Sequence, residues 1–215
     1  VCTTDDPVDS LAHHRTLAAR SDPDTCVYPT WRPDKALGVD NPEAFNAWVG
    51  RLEQAAGVSV GGSLEAFLDA LKARHDFFHA MGCRASDHGL ETMSAERWTD
   101  AEVAGSFERL RSGHALEPGA AITLKSALLY ELARLDHARG WVQQFHLGAL
   151  RNNNTRLLRT LGPDTGFDSI GDVEIGRPLS RFLDRLDETN QLAKTILYNL
   201  NPRDNALMAA MIGNF

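Results

Sequence analysis

Short apolar runs alternate with longer segments of helical periodicity along the sequence, and this alternation limits the possible folds more than any other feature. Strand followed by helix, repeated about five times, is typical of right-handed βα units that build a parallel sheet. The predicted strands are VCTT (1–4), DTCVYPTWRPD (24–34), CRASDHGL (83–90), WVQQFHLGAL (141–150) and KTILYNLN (194–201). We therefore expect an α/β protein.

The segments between these runs carry helix start and stop signals. In NPEAFNAWVGRLEQAAG (41–57), Asn41 is the expected N-cap and Pro42 the first helical residue. In SLEAFLDALKARHDFFHAMG (63–82), Ser63 is the expected cap and Gly82 the end. Further helices are predicted at 5–20 (from an Asp-Pro start), 99–113, 117–140 (ending at Gly140), 178–190 and from 202 onward.

Polar residues collect at one end of every predicted strand, and this pattern favours a barrel. In a (β/α)₈ barrel the active site lies at the carboxyl ends of the strands, whereas an open doubly wound sheet binds ligands at a switch point. No glycine-rich phosphate loop follows the first strand. We predict a (β/α)₈ TIM barrel. Because a full barrel takes roughly 250 residues or more, residues 1–215 are expected to form one partial barrel catalytic domain, without the N- and C-terminal parts of the barrel.

Composition and charge exclude several classes of protein. The net charge is -7 without a block of lysine or arginine, so nucleic acid is not an expected partner. No apolar run suits a bilayer crossing and no signal-peptide pattern opens the chain, so a membrane is not expected either. Cys2, Cys26 and Cys83 lack a Cys-x-x-Cys spacing and predict reduced, buried thiols in a cytoplasmic protein.

His146 is the first candidate for an active-site residue. It follows the apolar run Trp141–Phe145, where the strand should open into the barrel mouth. A lone histidine at such a point often bonds a backbone carbonyl in the core. Here Arg151 and the run Asn152–Asn154 follow closely, and so many polar groups favour a functional site.

Asp87 and Arg32 lie at two other strand ends. Adjacent strand residues point to opposite faces, so if Asp87 faces the lumen, His88 packs outward. There Asp87 would act as a base or orient a ligand; alternatively it caps the next helix. Arg32 is placed to bind a carboxylate through its guanidinium fork, whereas Arg84 is expected to form an ion pair behind the mouth.

The sequence does not show a self-contained metal site. It contains neither a His-x-His pair nor a His-Glu-x-x-His motif. The loop GPDTGFDSIGDVEIGRP (162–178) has four glycines, and it either closes over the site or forms a fixed surface connection.

Several stretches together resemble the uronate isomerase (glucuronate isomerase) family of bacterial hexuronate catabolism. They occur in order and span essentially the whole sequence: CTTDDP, YPTWRPDK, GCRASDHGL, WVQQFHLGALRNNNTR, LGPDTGFDSIGD and KTILYNLNPRDN with MIGNF. The combination of HLGALRNNNTR with GPDTGFDSI carries most of the resemblance. That family is a divergent branch of the amidohydrolase superfamily with a (β/α)₈ barrel, and residues 1–215 would correspond to strands two to six.

The resemblance implies an aldose–ketose isomerisation of a sugar acid, D-glucuronate to D-fructuronate or D-galacturonate to D-tagaturonate. Asp87 and His146 would be active-site residues, and Arg32 and Arg151 would bind the substrate. The resemblance also implies a divalent metal, which is usually zinc in this family. Its ligands lie on the first and eighth strands of the family and so mostly outside residues 1–215.

Two other functions remain open at this point. One is metal-dependent hydrolysis of a small lactone or amide on the same barrel, since one fold supports many reactions. The other is a truncated barrel that binds a sugar acid or a partner chain without turning anything over. Such a fragment would leave sheet edges uncovered and would associate with itself, and a homo-oligomer is in any case left open.

Overall fold

The computed structural model describes residues 1–20 and 25–215, and the statements below concern these residues. Its strands are β1 Ala85–Leu90, β2 Val142–Leu147, β3 Ala149–Leu150, β4 Ser169–Ile170 and β5 Lys194–Asn199. Its α-helices are α1 Ala12–Ala18, α2 Pro42–Ala56, α3 Leu64–Ala80, α4 Asp100–Arg111, α5 Pro118–Arg139, α6 Thr155–Leu161, α7 Gly176–Asp187 and α8 Asn205–Ile212. Short 3₁₀ turns occupy Asp34–Leu37 and Pro202–Asp204.

The central sheet is parallel, and its strands follow one another in chain order. β1 pairs with β2 and β2 pairs with β5. Isolated parallel bridges extend the sheet on the β1 side. Trp31 pairs with Ser86 of β1, and the start of the chain pairs in turn with the segment before Arg32, through Cys2 with Tyr28 and Asp5 with Trp31. This order without a reversal is the one expected for the wall of a barrel, whereas a doubly wound sheet reverses its order at a switch point.

The two faces of the sheet have different surroundings. Side chains alternate between the faces along a strand, so Phe145 and Leu147 of β2 share one face while His146 lies on the other. Phe145 and Leu147 are fully buried among the helices. Ile196 and Tyr198 of β5 lie on the same face as His146 and are exposed. The helices therefore cover one face, and the face with His146 is open.

A buried polar cluster links the sheet to the helices behind it. Ser86 Oγ of β1 donates a 2.6 Å hydrogen bond to Asp136 of α5, and His75 Nε2 of α3 lies 3.1 Å from the other oxygen of that carboxylate. The His75 ring stacks on Trp141 with 3.7 Å between ring centroids. All four residues are about 1% exposed or less, so the cluster joins two helices to β1 and to the residue before β2 in the core.

The helix signals in the sequence are confirmed where they are local. Asn41 Oδ1 accepts the backbone N–H of Ala44, and Ser63 Oγ accepts that of Ala66, so both predicted N-caps are present. α5 ends at Gly140, which has a left-handed φ of 65°. None of the described helices combines the length and apolar character that crossing a bilayer requires.

Other sequence predictions were wrong in detail. Residues 1–4 and the described part of 24–34 make isolated bridges instead of regular strands, and Asp24 lies outside the described residues. The first helix starts at Ala12 instead of at the Asp-Pro pair, and α6 was not predicted. Cys2 and Cys26 are exposed, so only Cys83 is a buried thiol, and burial raises its pKa to about 12.

Candidate active site

Asp87 and His146 meet at the carboxyl end of the sheet. Asp87 lies on β1 opposite Gln144, and His146 lies two residues further along β2 on the same open face. Asp87 Oδ1 is 2.8 Å from His146 Nδ1. Asp87 is only 6% exposed, whereas the His146 side chain is 47% exposed. A shielded carboxylate thus contacts an imidazole that solvent or a ligand can reach.

The Asp87 carboxylate retains hydrogen-bonding capacity. Its Oδ1 is buried and, despite the short distance to His146 Nδ1, makes no hydrogen bond of acceptable geometry with the described residues. Its Oδ2 lies 3.4 Å from Arg32 Nη1. A buried carboxylate oxygen without an aligned donor is costly unless a further group completes it.

Tyr198 of β5 supports the imidazole from the other side. Its ring stacks on His146 with 4.3 Å between centroids and an interplanar angle of 4°. Its hydroxyl donates a 3.1 Å hydrogen bond to Gln144 Oε1. Stacking between flat rings limits how far the imidazole can rotate, so Asp87 and Tyr198 together define its position.

Arg32 crosses the end of β1 directly over Gly89. Its Nε donates to Asp34 Oδ2 at 3.2 Å, and its Nη1 approaches Asp87. A Cβ built on Gly89 would overlap Arg32 Nη2, so only glycine leaves room for the guanidinium at this point. The close approach explains why a glycine follows Asp87 and His88 at the strand end.

Arg151 reaches the same point from the segment after β2. Its Nη2 lies 3.5 Å from the position of the missing Gly89 Cβ, and its Nη1 pairs with Asp168. The hydrogen bond from the backbone N–H of Asn152 is the largest influence on Asp168, and with the pair to Arg151 it lowers the pKa of that carboxyl. Two guanidinium groups therefore converge over Gly89.

A cavity of about 500 Å³ lies in front of these two arginines. Most of its lining is polar or charged, and Lys35 within it is already paired with Asp6 at 2.7 Å. Its charged lining residues are Asp5, Asp6, Arg32, Asp34, Lys35, Arg151 and Asp164. The volume and the guanidinium groups suit a small anionic ligand.

The three consecutive asparagines build the turn after β3. Asn152 has a left-handed backbone with φ of 55°, a conformation that asparagine tolerates better than most residues. Asn153 Nδ2 donates to the carbonyl of Leu150 at 2.8 Å. Asn154 Oδ1 accepts the N–H of Leu157 at 3.0 Å and so caps α6. Their hydrogen-bonding capacity therefore serves the local fold, and of the three only Asn152 borders the cavity.

The loop 162–178 is tied to that turn at several points. β4 within it pairs with β3, Gly171 donates its N–H to Gly148, and Asp168 accepts from Asn152. Pro163 and Asp164 of the loop line the cavity. In this conformation the loop forms one wall of the cavity and is fixed to the segment after β2.

Two other polar residues of the predicted strands, His88 and Arg84, do not line the cavity. His88 is 1% exposed, stacks on Phe145 and has its Nδ1 3.0 Å from Asp34 Oδ1, so it faces the helices while Asp87 faces the opening. Among the described residues Arg84 does not form the expected ion pair, and its guanidinium donates instead to the backbone carbonyls of His79 and Cys83.

Sequence reasoning missed Gly89 and Tyr198 as parts of this arrangement. Both occupy the same cross-strand position as His146 in the sheet register. The two-residue periodicity of β1 places Gly89 on the face of Asp87 and was readable from the sequence. The position of Tyr198 depends on the register between strands, which no local pattern specifies.

The described residues do not complete a metal site on their own. No group of three His, Cys, Asp or Glu side chains in residues 1–20 and 25–215 has an arrangement that could hold a metal ion. Asp87 and His146 offer two ligands of suitable chemistry, whereas a protein zinc site normally uses at least three.

Comparison with known proteins places the whole chain in one family. The family model described as glucuronate isomerase matches residues 1–215. The uronate isomerases of Cellvibrio japonicus and Opitutus terrae are each 54% identical over 215 residues, covering 100% of this chain and 45% of the relative. The chain thus spans about half the length of the curated relatives that it matches.

A solved structure agrees with the sequence relatives. The crystal structure of the uronate isomerase from Thermotoga maritima superposes with a TM-score of 0.93 at 32% identity, covering 100% of this chain and 47% of that one. The α/β architecture with its parallel sheet is therefore that of a uronate isomerase structure. Since the family model covers every residue from Val1 to Phe215, the chain belongs to the glucuronate isomerase family.

Proposed function

We propose that residues 1–215 are part of a uronate isomerase that converts D-glucuronate to D-fructuronate and D-galacturonate to D-tagaturonate. The observation that carries the proposal is the cavity at the carboxyl end of the sheet, where two arginines converge beside the Asp87–His146 pair. The family supports the reaction, since the matched relatives bear the name uronate isomerase.

The proposed reaction moves protons and needs neither an oxidant nor a reductant. One proton leaves C2 of the open-chain aldose and another is added at C1, while the C2 hydroxyl loses its proton and the C1 oxygen gains one. The intermediate between the two steps is an enediol. Abstraction of a proton next to a carbonyl requires a base, an acid and stabilisation of the developing negative oxygen.

The Asp87–His146 pair supplies the proton-transfer groups in this proposal. The two side chains are 2.8 Å apart, so a rotation of the imidazole would align them for proton transfer without any movement of the backbone. The exposed imidazole contacts the substrate, and the shielded carboxylate lies against its Nδ1 on the side away from solvent. We assign the proton transfer to the pair as a unit, because the two side chains are in direct contact.

Arg32 and Arg151 bind the carboxylate of the sugar acid in this proposal. A guanidinium presents two parallel N–H donors that match the two oxygens of a carboxylate. Nη2 of each arginine lies against Gly89 at the edge of the cavity, so both reach the same volume. A uronate carboxylate would give the Nη2 groups that face the cavity a charged acceptor, which a neutral sugar lacks, and the pair thus favours uronates over neutral aldoses.

Arg32→Lys is expected to raise the KM for D-glucuronate about tenfold or more, because lysine keeps the positive charge but lacks the two parallel N–H donors of the guanidinium. Arg151→Lys is also expected to raise this KM. The measurement is steady-state isomerisation by the full-length protein. Arg134→Lys, in an exposed helical ion pair with Glu131, is the matched control and should leave KM unchanged. Unchanged KM in both mouth variants, or turnover of lactones without uronate isomerisation, would refute the proposal.

We further propose that the residues form part of a (β/α)₈ barrel of amidohydrolase type, contributing about strands two to six to its catalytic domain. The parallel sheet in chain order supports this proposal, as does the match to less than half of the Thermotoga maritima enzyme. A divalent metal, as implied by the resemblance, would then take most of its ligands from other strands. Asp87 and His146 would lie beside it and supply at most two.

This proposal predicts a difference in metal binding between two lengths of the protein. The full-length protein should retain zinc or another divalent ion through dialysis, whereas residues 1–215 alone should lose it, because two ligands do not make a stable site. Mass spectrometry of the dialysed samples measures the metal content. Stoichiometric zinc on the 215-residue chain would contradict the proposed distribution of ligands.

A further inference from the structure

Asp34 contacts three groups at the carboxyl end of the sheet. Its Oδ2 accepts hydrogen bonds from Arg32 Nε at 3.2 Å and from the backbone N–H of Gly89 at 2.9 Å. Its Oδ1 lies 3.0 Å from His88 Nδ1, which must be the protonated nitrogen because a carboxylate can only accept. Asp34 thus connects the segment that carries Arg32 to the end of β1.

The charge of Asp34 is stabilised by these same contacts. Burial alone would raise its pKa, but the hydrogen bond and charge of His88, the N–H of Gly89 and the charge of Arg32 together lower the pKa below its ordinary value. The side chain is therefore ionised at neutral pH and acts as a permanent negative partner for the guanidinium.

The position of Arg32 depends on partners along two edges of its guanidinium. Asp34 holds the Nε edge, Asp87 lies 3.4 Å from Nη1, and Nη2 rests over Gly89 at the cavity. The Asp87 contact is longer than a hydrogen bond, so Asp34 is the closer of the two carboxylates. Without it, the long arginine side chain has several rotamers that carry Nη2 away from the cavity.

We propose that Asp34 is a positioning residue, which fixes the Arg32 guanidinium over Gly89 so that it receives the carboxylate of the substrate. The inference rests on the proposed function and adds to it the residue that sets the geometry of carboxylate binding. Asp34 borders the cavity, but its two oxygens are already in contact with His88, Gly89 and Arg32, so we assign its effect on the substrate to Arg32.

The test is a double-mutant cycle in the full-length protein, with D-glucuronate as substrate. Asp34→Asn is expected to raise KM about tenfold while kcat changes less than about threefold, because carboxylate binding is weakened and proton transfer is not. Asp34→Glu should recover part of the loss, since it restores the charge. In the background of Arg32→Ala, Asp34→Asn should change KM less than about twofold, because the two residues act as one unit.

The control is Asp76→Asn. Asp76 is a carboxylate of α3 that pairs with Lys72 and Arg139 on the helical surface, and its loss should leave KM unchanged. If wild-type protein neither binds nor isomerises D-glucuronate, the proposed function fails. If wild type is active and Asp34→Asn has normal KM, or if its effect adds fully to that of Arg32→Ala, the positioning role is wrong. Should Asp34→Asn not fold, Asp34→Glu with normal kcat and raised KM carries the test, and unchanged KM overturns it.

Discussion

Isomerisation of D-glucuronate is expected to slow at least about a hundredfold when Asp87 is replaced by asparagine, the size usual for loss of a general acid–base group. Asparagine keeps the shape of the side chain but cannot take up a proton at neutral pH. It also removes the negative charge that lies 2.8 Å from His146 Nδ1 and 3.4 Å from Arg32 Nη1. Proton transfer and the alignment of both partners would be affected at once.

His146→Asn is expected to have an effect of the same size, because the exposed imidazole is the member of the pair that a substrate can reach. The double variant should be little slower than either single variant, since groups that act as a unit give non-additive losses. The measurement is kcat of the full-length protein at saturating D-glucuronate. His114→Asn, at an exposed position between α4 and α5, is the control and should retain wild-type kcat. Wild-type kcat in either Asp87→Asn or His146→Asn would remove that residue from the proposed pair.

The regular elements were predictable because their signals are local. Helices α2 and α3 start at residues whose side chains cap the first turn, and α5 ends at a glycine with positive φ. Apolar runs flanked by polar ends identify buried parallel strands. Both ends of β1 and β5 therefore lie within two residues of the predicted ends, as does the start of β2, whereas β2 stops earlier than predicted, at Leu147. The Asn154 cap of α6 was also readable and was overlooked.

The first two predicted strands illustrate the limit of such patterns. Each reduces to isolated bridges, with Tyr28 and Trp31 as the bridging residues of the second segment. Between them the Thr30 N–H donates to the Asp5 side chain at 3.3 Å instead of to a backbone carbonyl, which interrupts the ladder with the first segment. On the side of β1, Pro29 has no backbone N–H to donate. An apolar run predicts burial, whereas a regular ladder also needs an uninterrupted set of donors and acceptors.

The candidate site was predictable residue by residue but not as an arrangement. Asp87, His146, Arg32 and Arg151 are polar residues at or after strand ends, and the structure brings them together at one edge of the sheet. Their contacts depend on the stagger between strands, which places His146 beside Gly89 and two residues beyond the partner of Asp87. That stagger is a property of the assembled sheet, and so the roles of Gly89 and Tyr198 emerge only from the structure.

Asp136→Ala is expected to destabilise the protein by about 3 kcal/mol, because it leaves two buried polar groups without their hydrogen-bond partner. The substitution would leave the Ser86 hydroxyl and His75 Nε2 without their carboxylate partner, at positions about 1% exposed or less. Water cannot easily replace the lost acceptor there, and the space left by the carboxylate adds a cavity. Asp136→Asn should cost less, roughly 1–2 kcal/mol, because its amide oxygen still accepts from Ser86.

Urea unfolding of the full-length protein measures this loss as a lower midpoint with an unchanged slope. Asp184→Ala, at an exposed position of α7, is the matched control and should stay within about 0.5 kcal/mol of wild type. A loss for Asp136→Ala no greater than that of the control would mean that the cluster behind the sheet does not hold α3 and α5 to β1. The same variant should leave KM for D-glucuronate unchanged as long as the protein is folded, because Ser86 and Asp87 point to opposite faces of the strand. Stability and substrate binding are thus expected to depend on different faces of β1, and a parallel loss of both would contradict that separation.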